Sequence, residues 1–215
     1  MKFRLLCASL ATAALAAVRP VYAQGFFSAP HSSSLHFVQY GVALTTESLA
    51  ASGGVCPDRA TVPCILGPGL GMAVRMGYRS HGPLYFGGAY EATRHDSSNI
   101  LRLAVLQQLR GEARYVFDRG NRASPYALLG LGVAAYGNEW NVDTAGPSLH
   151  LGAGLEFQAS TAAIVGFALT WRSMALRRWT DGTGQRRADD LVGFGIAQWI
   201  ALELTLEIRN PLPRW

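Results

Sequence analysis

The sequence predicts an all-β protein, an eight-stranded antiparallel up-and-down transmembrane β-barrel. Three observations carry that expectation. The first is the stretch Leu191 to Ile208, LVGFGIAQWIALELTLEI, which separates with period 2 into unlike faces. Val192, Phe194, Ile196, Ile200, Leu202, Leu204, Leu206 and Ile208 form one face, with Gln198 as its only polar member. Gly193, Gly195, Ala197, Trp199, Ala201, Glu203, Thr205 and Glu207 form the other. The second observation is the sense of that division. A soluble strand would put its bulky apolar side chains into a core and leave a polar face without so many glycines. Bulky apolar residues outside, with small and charged ones inside, are expected of a narrow barrel in lipid. The third is that no run of about 18 apolar residues beyond the N-terminus lacks charge and glycine. A closed barrel is then the route left through a membrane.

The N-terminus sets the compartment. Lys2 and Arg4 precede the apolar run LLCASLATAALAAV, which is too short to span a bilayer as a helix. Val21-Tyr22-Ala23 is a small-x-small cleavage pattern, so residues 1–23 read as a signal peptide and Gln24 as the mature start. The whole chain carries a formal charge of +5. Without Lys2, Arg4 and Arg19, 16 basic residues face 14 acidic ones, so the mature charge is about +2. This balance gives no reason to expect a nucleic-acid partner, and no nucleic-acid motif is present. Cys56 and Cys64, an exported pair closely spaced, read as a disulfide closing a short loop. With no histidine near them they make a poor metal site. No metal or cofactor is expected.

The remaining strands follow in order. A polar lead-in, 24–33, precedes strand 1, Leu35 to Thr46, whose Val38, Tyr40, Val42 and Leu44 share a face. Glu47 to Leu66, rich in Gly, Pro, Ser and Asp, reads as a long loop holding the cysteine pair. Strand 2, Gly69 to Arg79, alternates most cleanly: Leu70, Met72, Val74, Met76 and Tyr78 against Gly71, Ala73, Arg75, Gly77 and Arg79. After the turn His81-Gly82-Pro83, strand 3 runs from Leu84 to about Arg94, with Tyr85, Gly87, Ala89, Glu91 and Thr93 on its small face. His95 to Asn99 reads as a short loop and Ile100 to Phe117 as strand 4, with Arg102, Gln108, Arg110, Glu112 and Arg114 in one phase. Asp118 to Ser124 is a turn. Strand 5 spans Tyr126 to Tyr136, strand 6 Ser148 to Gln158 and strand 7 Ala162 to about Leu176. Arg177 to Asp190 is a charged, Gly-containing loop before strand 8. Long connections largely alternate with short ones, the arrangement of outer loops and periplasmic turns with both termini periplasmic. The chain thus divides into signal peptide (1–23), lead-in (24–33), barrel (34–208) and C-terminal tail (209–215).

Eight strands leave an interior only wide enough for side chains to fill. Small residues there are a packing requirement, and buried charges require partners. Both signs are supplied. Arg75, Arg79, Arg102, Arg110, Arg114 and Arg172 stand against Glu91, Glu112, Glu156, Glu203 and Glu207, so an Arg–Glu network is expected to plug the lumen. A narrow ion path is the alternative. His150 is expected inside beside Glu156 as a hydrogen-bonded lumen residue. Tyr78, Phe86, Tyr115, Phe117 and Phe157 at one rim, and Tyr136, Trp140 and Trp171 at the other, fit interfacial girdles. A soluble lipocalin-like barrel would need the opposite phase.

Taken together, the signal peptide, eight alternating strands, Gly-rich lumen phase and short turns resemble the small outer-membrane barrels of the OmpA/OmpX and opacity-protein type. The resemblance covers nearly the whole mature chain and rests on pattern, with no diagnostic motif. It implies residence in the outer membrane of a Gram-negative bacterium and contact with outer-membrane lipid, lipopolysaccharide and the assembly machinery. It also implies a role in envelope integrity, adhesion or surface interaction, with the extracellular ligand unknown. Such barrels end on an aromatic residue closing the last strand. Here Trp215 is terminal but Asn210-Pro211-Leu212-Pro213-Arg214 separates it from Ile208. Some barrels of this size are lipid A deacylases with a His-x-Ser pair and an acid. His31-Ser32-Ser33 and His95-Asp96-Ser97 match that triplet, the latter with Glu91 nearby, but neither lies on a late strand, so catalysis is not expected. The basic residues Arg177, Arg178, Arg186 and Arg187 of the last outer loop offer a surface for lipopolysaccharide phosphates, balanced by Asp181, Asp189 and Asp190.

Overall fold

The computed structural model describes residues 36–56, 63–117, 123–160, 162–188 and 193–212. The expected signal peptide and lead-in, His31-Ser32-Ser33, Asp189, Asp190 and Trp215 lie outside the described residues. Among the described residues, eight long antiparallel strands close into one barrel. They are β1 (Phe37–Ala51), β2 (Gly69–Arg79), β3 (Leu84–His95), β4 (Ala104–Val116), β5 (Ala123–Asn138), β6 (Thr144–Gln158), β7 (Ala163–Arg177) and β8 (Phe194–Pro211). Each strand pairs with its sequence neighbours, and β1 pairs with β8 from Phe37↔Pro211 to Ala51↔Gln198, with one irregularity between Leu49 and Ala51. Closure leaves no edge whose backbone groups would go unpaired in lipid.

The phase is as the alternation requires. Met72, Val74 and Met76 of β2 are 60%, 56% and 63% exposed, and Leu202 of β8 is 51% exposed. On the opposite face Ala73, Arg75, Ala201 and Glu203 are buried. A bulky apolar wall therefore surrounds a small and charged lumen, which rules out the lipocalin-like phase. Between Leu84 and Arg94 one strand covers the roughly 25 Å height expected of a lipid-facing band. Tyr78, Phe86, Tyr115, Phe117 and Phe157 are exposed at the turn end.

Several boundaries differ from the sequence expectation. β1 runs on to Ala51, so Glu47 belongs to the wall. β3 includes His95, and β4 begins only at Ala104, because residues 96–103 form the connecting loop. That loop is longer than expected and contains two left-handed residues, Ser98 and Asn99, with φ of 53° and 63°. β5 and β6 reach Asn138 and Thr144, shortening their connection to 139–143. The division at 208/209 falls inside the last strand: Arg209, Asn210 and Pro211 pair with Gln39, Val38 and Phe37. Pro211 is tolerated there because it is the terminal ladder residue. Tyr136, expected on the outer girdle, points inward and is 1% exposed, in phase with Gly130, Gly132 and Ala134.

The loop end is closed by an apolar layer. Leu106, Tyr136, Met174, Leu176 and Trp199 project inward from the strands and meet Val55, Cys56, Ile65 and Leu66 of the first loop and Ala188 of the last. The Cys56–Cys64 disulfide forms within that first loop. Tyr136 Oη donates to Ile65 O at 2.6 Å. Ala188 N donates to Gly54 O at 2.9 Å, tying the last loop to the first.

Candidate functional site

Below the apolar layer lies the charged lumen. Its residues share one phase of period 2, so seven of the eight strands deliver a charged side chain to the axis, and β5 lines it with Tyr126, Leu128 and glycines. Glycine neighbours give the long side chains room. Six arginines and six glutamates meet there among the described residues: Arg75, Arg79, Arg110, Arg114, Arg172 and Arg209 with Glu47, Glu91, Glu112, Glu156, Glu203 and Glu207. The formal charge of this set is zero, as a buried network requires.

Arg172 of β7 is its most connected member. Its guanidinium donates to Glu47 at 2.8 Å, to Glu91 at 2.8 and 3.2 Å and to Glu203 at 2.7 Å. Arg110 donates to Glu91 at 2.6 Å and reaches Glu203 at 3.5 Å. Arg75 donates to Glu203 and approaches Glu207 at 3.7 Å. Arg114 holds Glu112 at 2.8 Å and Glu207 at 2.9 and 3.1 Å, while its guanidinium lies 4.6 Å from the Tyr85 ring centre and 5.5 Å from that of Tyr126. Towards the turn end Arg79 meets Glu156 at 2.5 Å and Arg209 meets the same carboxylate at 3.1 Å. Charge-assisted bonds of this density fill the bore with few free rotamers.

Ten of the eleven residues expected in the network are thus brought together. Arg102 is not: it sits in the 96–103 loop, its side chain 85% exposed and 3.1 Å from Glu139. Glu47 and Arg209 join the network because β1 and β8 run further than expected. Both were in the inward phase, but Gly, Pro and Ser beyond Glu47 and Pro211 beyond Arg209 masked the strands' true ends. His150 also departs from expectation. It is cross-strand from Arg172, not at the Glu156 pairs, and neither ring nitrogen has a hydrogen-bond partner among the described residues.

The His95 and Ser97 side chains of the His-x-Ser triplet are otherwise engaged. His95 is buried, with Nδ1 2.9 Å from Gly67 O and Nε2 2.8 Å from Glu47 Oε1. Ser97 Oγ donates to Leu101 O at 3.1 Å and accepts from Leu101 N at 3.2 Å. A nucleophile needs a free hydroxyl facing its base, and here the serine closes its own loop. Among the described residues no group of three metal-ligating side chains gathers.

The last loop folds into a small hairpin, Trp179–Thr180 against Arg186–Arg187. Arg187, expected to be a surface cation, is buried. Its Nε donates to Asp181 at 2.8 Å and Nη2 donates to Pro63 O at 3.4 Å. Arg177, Arg178 and Arg186 are exposed. Burial pushes the Asp181 carboxyl up, but hydrogen bonds from Thr183, Arg187 and Gln185 outweigh it and hold the group below its ordinary value.

No family model and no curated protein matches the chain. Solved structures do. Neisserial surface protein A (NspA) is 15% identical at a TM-score of 0.52, covering 80% of this chain and 96% of that one. The outer-membrane protein OprG from Pseudomonas aeruginosa is 9% identical at 0.54, covering 82% and 96%. The outer-membrane protein AlkL, determined in lipid bilayers, is 11% identical at 0.51, covering 84% and 92%. At such identities the likeness is one of fold: an eight-stranded barrel built as the small outer-membrane barrels are.

Proposed function

From that shared fold, we propose that the protein is an outer-membrane barrel of a Gram-negative bacterium, exported through a cleaved signal peptide and delivered by the assembly machinery. Its role is structural or one of surface interaction. The observation that carries the reading is the lumen. A neutral Arg–Glu network spans the bore, and an apolar layer with two interlocked loops covers its outer end. That arrangement supports a plug over a narrow pore. The lipid-facing wall contacts outer-membrane lipid, and lipopolysaccharide is the outer-leaflet partner, met by exposed arginines above the band.

The commitment of Ser97 to its own loop, and of His95 to Gly67 and Glu47, favours this reading over a lipid A-modifying enzyme. Full-length protein in a planar bilayer should be electrically silent, and the same preparation should show heat-modifiable mobility in outer-membrane fractions. Stepwise conductance would replace the plug with a pore, and recovery in the soluble periplasm would end the proposal.

A further inference from the structure

A cleft of about 520 Å³ opens on the outer wall where β2, β3 and β4 meet the 96–103 loop. Leu70, Leu101 and Leu103 give it an apolar lining, and Arg94, Arg102, Asn99 and Asp96 a polar one; Leu70 and Arg94 are cross-strand neighbours, and Leu101 and Leu103 lie above them in the loop. Arg94 stands at the upper limit of the lipid-facing band. On its own strand the outward positions below it are Ala92 and Tyr90, and its cross-strand neighbours are Leu70 and Val105. That is the depth at which lipid headgroups lie, and an arginine there faces phosphate.

The charges are unequally engaged. Arg94 has no carboxylate partner among the described residues. Among the described residues Arg102 pairs only with the exposed Glu139, and an exposed pair exchanges readily for a better anion. Asp96 keeps one oxygen on Ser98 N at 2.9 Å and supplies an acceptor at the cleft wall. Two guanidiniums beside one carboxylate and one carboxamide suit a ligand with both anionic acceptors and neutral donors. A bare phosphate would meet Asp96 unfavourably, whereas a sugar presents hydroxyl or amide donors to it.

The cleft is also preformed. Asp96 N donates to Pro68 O at 3.0 Å, Ser98 Oγ donates to Cys64 O at 3.2 Å, and Ser98 and Asn99 are both held left-handed. Such a held, strained pair marks a site whose surroundings over-determine it, and its volume lies within the range of small-molecule sites.

We infer that this cleft receives the phosphorylated amino-sugar headgroup of an outer-leaflet glycolipid, with its acyl chains descending along Leu70 and the lipid-facing wall. The inference rests on the reading of the chain as an outer-membrane barrel in contact with lipopolysaccharide and assigns that contact to one place.

The test uses full-length folded protein in phosphatidylcholine nanodiscs doped with bisphosphorylated lipid A, dephosphorylated lipid A or phosphatidylglycerol. Retained lipid is read by native mass spectrometry, with heat-modifiable mobility confirming that every variant is folded. Bisphosphorylated lipid A should be retained over the other two. Arg94→Ala with Arg102→Ala should weaken retention about tenfold or more, on the scale of a lost charge-assisted contact. Glu139→Gln, which frees Arg102, should strengthen it. Equal retention by the double variant overturns the cleft and leaves glycolipid contact elsewhere. Equal retention of phosphatidylglycerol overturns sugar recognition. No preference for lipid A in the native protein overturns the lipopolysaccharide contact itself.

Discussion

Arg172 and Glu91 lie four strands apart whichever way the barrel is followed, on β7 and β3, and still meet at 2.8 Å. The pair therefore spans the bore. Two side chains of ordinary length can do this only because an eight-stranded cylinder is narrow. Any path along the axis has to pass through this contact and those of Glu203 and Arg110 beside it.

Removing one partner leaves its counter-charges buried. Glu203→Ala should take from Arg75 its one direct hydrogen bond among the described residues and from Arg172 one of its three carboxylate partners, and lower stability by about 3–5 kcal/mol. The readout is the urea midpoint of protein folded into vesicles. Glu139→Ala, which touches only the exposed Arg102, should stay within about 0.5 kcal/mol of native. Equal midpoints for the two variants would show that Glu203 does not pair inside.

The barrel glycines separate by what covers them. A Cβ on Gly154 would meet the Tyr126 ring and the carbonyl oxygen of Phe167. Gly154→Ala should therefore cost about 1–3 kcal/mol. Gly88 faces outward, with its nearest obstacle Arg110 O at 3.6 Å. Gly88→Ala should be close to neutral in the same urea titration. The reverse order would place Tyr126 away from β6.

The disulfide acts on a short loop. Replacing Cys56 and Cys64 by Ser should destabilise the first loop by about 2–3 kcal/mol, the value expected for so small a closed ring. Hydrogen exchange at Val55 and Leu66 should accelerate while β4 and β5 keep their protection. Uniform loss across all strands would instead make the bond a global staple.

The small hairpin of the last loop should respond to acid. Asp181 is held below its ordinary value when folded, so its contribution is fully present above the unfolded value. It is lost as pH falls through the lower, folded value. Order in residues 179–187, followed by amide exchange, should persist at mildly acidic pH and fail only below the ordinary aspartate value of 3.8. Asp181→Asn should abolish that dependence. A transition near neutrality would implicate another group.

Much of this architecture is written in a period of two. The phase of β2 and β8 separates wall from lumen, and the same phase on the other strands picks out ten of the twelve charges that meet inside. The phase places Trp199 inward beside Gly195, as found, and it also puts Tyr136 in step with Gly132, although the aromatic-girdle pattern points Tyr136 to lipid. The physical reason lies in height: above the band the inward face ceases to be a polar bore and becomes an ordinary apolar core under two loops. Glu47 and His95 were hidden similarly, because strands that rise beyond the bilayer enter Gly- and Ser-rich sequence. Which arginine meets which glutamate was not legible, since contacts across the bore depend on the stagger of eight strands. That stagger has no signature along a single strand.

The ring is sealed between its earliest and latest strands, Phe37–Ala51 and Phe194–Pro211. Glu203 and Glu207 thus reach Arg75 and Arg114 only when the final segment has docked. Before that moment the inward guanidiniums and carboxylates have to stay wet, so no half-built sheet can rest in hydrocarbon. Assembly is bound to proceed as one cooperative event, in which shutting the wall and drying its interior are the same step.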